Sequence, residues 1–403
     1  MEGWYTHEMI SHSIYIHVPF CRHRCGYCDF NTYAGQEALI GSYVRALCRE
    51  IDLAGAAVEE SLPVQTIFFG GGTPSLLPSE AVERVLHTLA QNFDLLPDLE
   101  VSLEANPGTL SLSYLKDLRA LGVNRLSLGV QSANPQELLL LERQHDTSDV
   151  IQAVSWARQA GFHNLNLDLI FGLPEQRLET WQRSLEFALR LQPEHFALYA
   201  LTMEHGTPFG RWAGRGLLSE PDPDLAAEMY EWASQRLDQA GYGQYEISNW
   251  AAPGQDGNLL ACRHNLQYWR NLPYLGFGAG AHGYAGGFRT ANVLAPAAYI
   301  QRCLQAEEPL SFPRTPATQG LTQIDQETEI GETMMMGLRL IQEGVSQTAF
   351  RRRFGRSLQE VFSKEISELE RVGLLEWGGE GKDALRLTAR GRLLGNQVFY
   401  RFI

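Results

Sequence analysis

Cys21, Cys25 and Cys28 stand in the run Cys21-Arg22-His23-Arg24-Cys25-Gly26-Tyr27-Cys28. Three thiolates at this spacing suit three corners of a [4Fe–4S] cube, whose irons take cysteine sulfur. Asp29, Phe30 and Asn31 come next, so no fourth cysteine follows. One iron then keeps an open position, and an open metal position is where chemistry takes place. A zinc knuckle is the competing reading. Zinc sites usually set such a group against a second, distant pair of ligands, and none is visible here.

The elements that must position these thiols alternate in type. Short β-rich runs at 13–18, 66–69, 100–105, 125–130, 164–170 and 195–200 are separated by amphipathic stretches at 39–57, 80–93, 111–121, 148–160 and 178–191. A unit of roughly 30 to 50 residues suits βαβ repeats and a parallel sheet with helices outside. Six units are too few for the usual eight of a closed barrel, so the fold class expected is α/β with a partial (β/α)6 barrel; a doubly wound sheet is the alternative. In the fifth run Asn164, Asn166 and Asp168 alternate with Leu165, Leu167 and Leu169. A strand sends these sets to opposite faces. A polar inner face in a parallel sheet, normally apolar on both sides, points to a lined cavity or to wet packing at the barrel floor.

Function in such folds gathers at the carboxyl ends of the strands. The first run leads into the cysteines. The second ends in Gly70-Gly71-Gly72-Thr73-Pro74, whose bare backbone lets a ligand approach closely. It lacks the Lys-Ser/Thr of a phosphate loop. The third ends at Glu104, the fourth at Gly129-Val130-Gln131-Ser132, and the fifth carries Asp168; Arg143 follows the fourth. Together they set two carboxylates, an amide and a guanidinium around one mouth. Carboxylates accept from ribose hydroxyls or an ammonium, and Arg143 pairs with a carboxylate. These are the groups that hold an amino-acid nucleoside such as S-adenosylmethionine (SAM).

Charge excludes one class of partner. Of 33 basic and 47 acidic residues, 301–403 hold 14 of each, so residues 1–300 carry the whole net charge of −14. An acidic body does not suit nucleic acid. Six cysteines in 403 residues make no disulfide scaffold. Cys48, Cys262 and Cys303 read as small buried hydrophobes. The start of the chain lacks the charged and apolar regions of a signal peptide, and no apolar run is long enough to span a membrane. With an oxygen-sensitive cluster this points to the cytoplasm, with peripheral attachment to a membrane left open.

The chain resembles the radical SAM superfamily, within it the coproporphyrinogen III oxidase-like branch, and most nearly the HemW-type haem chaperones. The motifs that carry the resemblance are Tyr15-Ile-His17-Val-Pro19-Phe20-Cys21, Gly70-Gly-Gly-Thr73-Pro74, Glu104-Ala-Asn106-Pro107, Gly129-Val-Gln131-Ser132, Asp168-Leu-Ile-Phe-Gly172-Leu-Pro174 and His264-Asn265-Leu-Gln-Tyr268-Trp269. The resemblance implies that Cys21, Cys25 and Cys28 hold the cluster and that SAM chelates the open iron. It also implies that Gly71, Gly72 and Thr73 face the methionine end, and that Tyr15, Tyr27, Glu104, Gln131, Arg143 and Asp168 are further SAM contacts. In the oxidases a cysteine stands two residues after the third cluster cysteine, where this chain has Phe30, and an amino-terminal extension precedes the motif, where only about twenty residues stand here. Both departures point to a haem carrier serving acceptor haemoproteins, membrane-bound respiratory proteins among the classes considered. The alternative is the oxygen-independent oxidase, which decarboxylates two propionates.

The resemblance makes His264 the first candidate for a haem contact, since imidazole is a usual axial ligand and Tyr268 and Trp269 offer flat faces. A loop-holding role is the competing reading. Cys262, His17, His145 and His282 are further candidates. The glycine run 275–283 suggests either close approach of a flat cofactor or a tight turn.

Prolines 309, 313 and 316 suggest a linker. Helices expected at 327–341, 347–354 and 358–372, then a hairpin at 374–377 and 384–387, resemble a winged helix. The expected organisation is therefore a barrel with its extension over 1–300 and an α+β C-terminal domain of the HemN type over 301–403. Arg351, Arg352, Arg353 and Arg356 read as a solvated helix face rather than a nucleic-acid or lipid patch.

Overall fold

The computed structural model describes residues 11–403. Residues 1–10, part of the stretch read above for a targeting signal, lie outside the described residues. Six parallel strands follow in chain order: β1 (His12–Val18), β2 (Pro63–Gly71), β3 (Asp94–Ala105), β4 (Arg125–Gln131), β5 (Leu165–Phe171) and β6 (His195–Ala200). Each pairs with the next. Between them lie α1 (Ile40–Ala56), α2 (Ser79–Asn92), α3 (Leu112–Ala120), α4 (Pro135–Leu140), α5 (Thr147–Gln159) and α6 (Leu178–Arg190). The helix starts are local chemistry. Ser111 caps α3, Asn134 caps α4, and Asp146 with Asp149 forms a capping box at α5.

Alternation along β5 is realised. Leu165, Leu167 and Leu169 are fully buried in the layer shared with the helices. On the inner face Asn166 Nδ2 donates to Ser127 Oγ and to Asp168, and Asn166 Oδ1 contacts His195 Nδ1 at 2.6 Å.

After β6 come α7 (Pro208–Ala213) and α8 (Pro223–Gln239), then the antiparallel edge strands β7 (Gly243–Glu246) and β8 (Asn249–Ala251). Helix α9 (Arg263–Trp269) leads into β9 (Tyr274–Phe277), which pairs parallel to the free side of β1. Then β10 (His282–Ala285), β11 (Phe288–Asn292), α10 (Pro296–Gln305) and β12 (Thr318–Gln323) extend that edge. The sheet order is β12-β11-β10-β9-β1-β2-β3-β4-β5-β6-β8-β7. Its two ends do not pair among the described residues, so the barrel is open.

The glycine run around 275–283 makes a close-packed turn, one of the two readings of that run. A side chain at Gly276 would strike the His282 carbonyl. One at Gly278, whose φ is +103°, would lie 2.5 Å from the His17 carbonyl. These glycines let β9 press against β1 and turn back into β10. Glu50 of α1 locks the same corner. Fully buried, it accepts from Gly278 N, Asn292 Nδ2, Tyr299 Oη and Thr315 Oγ1.

Strand pairing moves the boundary expected at 300/301. β12 pairs with β11, and Cys303 and Ala317 are buried in the barrel's core. The second core begins at Ile330. It is built by α11 (Gln326–Gly337), α12 (Gln347–Phe354) and α13 (Leu358–Arg371). These pack with a small sheet of β13 (Val345–Ser346), β14 (Leu375–Gly378) and β15 (Ala384–Leu387), in the order β13-β15-β14. Helix α11 stops short of the expected 341 because Leu340 leaves the helix to bridge Glu246 of the barrel edge. Arg353 and Arg356 pair with Glu329 and Glu327 of α11, so half of the arginine cluster is spent on packing.

Candidate functional site

The cysteine loop is tied down at its base. Phe20–Cys21 pairs with Tyr33–Ala34, and Tyr33 N donates to Pro19 O at 2.7 Å. Asn31 Nδ2 donates to the carbonyls of Ala279 and Leu294. On the far side Phe209 N of α7 donates to Gly26 O at 3.0 Å; Gly26 has to be glycine, since a Cβ there would lie 2.9 Å from the Phe209 ring.

The loop thus hangs over the carboxyl ends of the strands, where a cavity of about 820 Å³ opens. Cys21, Cys25 and Cys28 all face it, with Tyr27, Gly71, Gly72, Thr73, Glu104, Gln131, Arg143 and Asp168. Of the residues expected to hold the cluster or SAM, Tyr15 is absent from the lining; of the haem candidates, His145 lines it and His17, Cys262, His264 and His282 do not. Residues not singled out as candidates also reach it: Thr32, Asn106, Ser127, Glu142 and Tyr199. Asn106 carried a signal, an Asn-Pro step directly after a strand. Glu142 and Tyr199 carried none, because their roles follow from where the chain folds back.

Each thiol has a side-chain donor nearby. Thr73 Oγ1 donates to Cys21 Sγ at 3.5 Å, Arg143 Nη1 lies 3.9 Å from Cys25 Sγ, and Thr32 Oγ1 lies 4.0 Å from Cys28 Sγ. Asn106 connects two of them. Its Nδ2 donates to Thr73 Oγ1 at 3.1 Å, and its Oδ1 accepts from Arg143. Burial pushes the Cys21 and Cys28 thiols up, and hydrogen bonds from Thr73 at Cys21, and from the Phe30 backbone and Thr32 at Cys28, work against it. Donors aimed at sulfur are what a thiolate-held cluster needs. Among the described residues no three His, Cys, Asp or Glu side chains converge closely enough to share one metal ion. Cys48, Cys262 and Cys303 lie outside the cavity lining.

The other groups fit SAM. Gly71 N donates to Glu104 Oε2 at 3.0 Å, and Ser127 and Asn166 donate to Asp168. Burial, then the neighbouring Asp168 charge, raise the Glu104 carboxyl to about 7; burial also raises Asp168. A pair of strained carboxylates welcomes a bound ammonium or hydroxyls. Gln131 sits at a bulge between β4 and β5 with φ +65°, which re-aims its amide into the cavity.

Tyr15 lies below this layer. Its hydroxyl contacts His17 Nδ1 at 3.0 Å and its ring stacks on Phe68. His17 Nε2 in turn donates to Asn31 O, so His17 is spent on holding the loop.

His264 is placed against expectation. It sits at the amino ends of the strands, 1% exposed. Its Nδ1 contacts Thr66 Oγ1 at 2.7 Å and its Nε2 contacts Tyr268 Oη at 2.8 Å. Glu100 receives the first backbone N–H groups of α9, from Arg263 and His264. Thr66 is five residues before Gly71 on β2, about 16 Å at the rise of a strand. Both ring nitrogens are engaged and the ring packs against Phe68 and Tyr15 outside the cavity lining, so His264 fills the barrel interior beneath the site. Trp269 lies under Arg339 of the C-terminal unit, 5.2 Å from guanidinium to ring, and Tyr268 packs on Tyr274. Neither is a free flat face. Cys262 is fully buried, its thiol pushed up to about 12 by burial. His282 is exposed outside the cavity, and His145 lines it with Nε2 bonded to Val130 O.

Comparison with known proteins places this geometry. Residues 15–188 match the Radical SAM superfamily and residues 324–394 the HemN C-terminal domain. Heme chaperone HemW of Bacillus subtilis (strain 168) is 40% identical over 393 residues, covering 97% of this chain and 99% of that protein. The chain belongs to the HemW family of radical SAM proteins. Heme chaperone HemW of Escherichia coli (strain K12) is 35% identical over 97% of this chain and 98% of its own length. Coproporphyrinogen III oxidase (HemN) from Escherichia coli shares the fold, with a TM-score of 0.82 over 98% of this chain and 90% of that one at 23% identity. As a radical SAM protein the chain is built for a [4Fe–4S] cluster and SAM, and the three thiols and the strand-end groups fit both.

Proposed function

We propose that this protein carries haem, taking it into the cavity beside the cysteine loop and passing it to acceptor haemoproteins. Cys21, Cys25 and Cys28 hold the cluster, and Gly71, Gly72, Thr73, Glu104, Gln131, Arg143 and Asp168 receive SAM. When bound, the cluster supplies low-potential electrons at its open iron. Thr73, Asn106 and Arg143 orient and polarise the sulfurs, and Gly71 N–H holds the Glu104 carboxylate toward the ligand.

The observation that carries the carrier reading is Phe30. It is 63% exposed in the cavity wall, at the position where the resemblance to the oxidases calls for a cysteine. An exposed apolar ring at a mouth suits a flat apolar cargo and offers no acid, base or thiol for decarboxylation. The volume of about 820 Å³ lies high in the range of about 300–1,000 Å³ usual for small-molecule sites. Relatives matching nearly the whole chain bear the name Heme chaperone HemW, which supports the same reading. No helix among the described residues is long and apolar enough to cross a membrane. We place the chain in the cytoplasm, where its free thiols stay reduced, with membrane-bound acceptors met at the membrane surface.

The test is anaerobic reconstitution of the cluster, followed by haem, SAM and, separately, coproporphyrinogen III. A stable haem complex that loses its haem to an apo-haemoprotein, with no tetrapyrrole product, is the expected result. Formation of protoporphyrinogen would establish the oxidase instead.

A further inference from the structure

Most buried histidines have both ring nitrogens engaged. His17 is held by Tyr15 and Asn31, His195 by Asn166 and Tyr245, and His264 by Thr66 and Tyr268. The cavity lining contains two others, His23 and His145. His145 is 6% exposed, lies against Gly108 and has its Nε2 on a backbone carbonyl. A macrocycle cannot reach a ring so enclosed.

His23 differs. It stands between Cys21 and Cys25 at the cavity mouth with its side chain 45% exposed. Nε2 lies 2.8 Å from Glu142 Oε2 and Nδ1 has no hydrogen-bond partner among the described residues. An imidazole whose one nitrogen is held by a carboxylate while the other is open is the arrangement that orients and strengthens a metal ligand. Glu142 is itself held in place. Its φ is +54°, a left-handed conformation uncommon for a residue with a side chain, and its carbonyl oxygen sits 3.9 Å from Cys25 Sγ. The same wall carries Phe30 as a flat apolar face and Arg22 and Arg24 as cations. Two guanidiniums on an otherwise acidic body match a ligand that presents carboxylates.

We propose that His23, oriented by Glu142, is the axial ligand to haem iron at the cavity mouth, with Phe30 under the macrocycle and Arg22 and Arg24 on its propionates. The proposal rests on the haem-carrier reading and names the iron ligand within it. It also places the cargo on the loop that carries the cluster, so loading of one is felt by the other.

The experiment titrates haem into cluster-loaded wild type, H23A, H23Q and H145A, with iron and sulfide content measured in each. Wild type gives a bis- or mono-imidazole haem spectrum. H23A and H23Q keep their cluster, bind haem at least tenfold more weakly and lose the imidazole signature, and added imidazole restores it to H23A. E142Q weakens binding less than H23A. H145A behaves as wild type. Unaltered spectrum and affinity in both His23 variants, or loss in H145A alone, overturns the assignment while leaving the carrier reading standing. A wild type that takes up no haem overturns both.

Discussion

The Arg143 guanidinium lies 3.9 Å from the sulfur of Cys25 and donates to the carbonyl of Gly129 at 2.9 Å. Through Asn106 and Thr73 it is also joined to Cys21. Two of the three clustered thiols are therefore tied by one polar chain drawn from the ends of β2 and β3 and the loop after α4.

That chain predicts a redox effect. A cation near a thiolate stabilises the reduced, more negative cluster. A unit charge at about 4 Å is worth roughly 1–4 kcal/mol outside a dry interior, or roughly 40–170 mV for one electron. Arg143→Gln lowers the reduction potential by an amount in that range, read by spectroelectrochemistry. An unchanged potential with the cluster intact would show that the guanidinium does not act on it.

The Glu104 carboxyl predicts a pH dependence. Its folded value of about 7 lies above the ordinary 4.5, chiefly through burial. A carboxyl that holds its proton more tightly when folded contributes stability in full below 4.5, and that contribution is lost as the pH climbs through 7. Partial exposure of Glu104 to the open cavity reduces the effect to about 1–2 kcal/mol. The SAM-free chain is thus less stable at pH 8 than at pH 5 on account of this group, and Glu104→Gln flattens the slope. Urea midpoints at three pH values decide it; an equal slope in wild type and variant counts against the assignment.

His264 predicts stability, not cargo. His264→Ala removes contacts with Thr66 and Tyr268 and leaves a void under β2, which costs about 2–4 kcal/mol. Haem affinity stays within twofold. Loss of haem without loss of stability would return His264 to the list of ligands.

Arg353 predicts how the tail is held. It donates to Glu329 at 2.5 Å and to the carbonyls of Arg270 and Asn271 at 3.2 and 2.8 Å. Arg353→Ala leaves those acceptors unmet at a half-buried seam, at a cost of about 1–3 kcal/mol. Hydrogen exchange within α11 quickens while β1 to β5 keep their protection. Uniform protection across both units would show the seam to be held by other contacts.

Local chemistry alone reaches far in this chain. Alternating periods of two and about 3.6 marked six strands and the helices between them, and cysteine spacing with the glycines and carboxylates after successive strands marked most of the cavity wall. These signals are legible because each is carried by neighbours in the chain: a thiol three or four residues from the next, a polar residue every second position of a strand, a cap at a helix start. What tertiary structure decided concerns residues whose meaning depends on distant partners. The resemblance offered His264 and Tyr268 as haem contacts, with a loop-holding role as the competing reading. The fold put them at the amino ends of the strands, where Thr66, Glu100 and Tyr274 engage them. The glycines near 278 allowed either a flat cofactor or a tight turn by sequence, and the fold sets them against His17 and its strand. β9 was missed because four residues are too few to display a period, and its place beside β1 is fixed by that contact. The seam at 323 was hidden because pairing of β12 with β11, not the prolines before it, decides which core those residues join. His23 became informative only once Glu142, 119 positions away, was found against it.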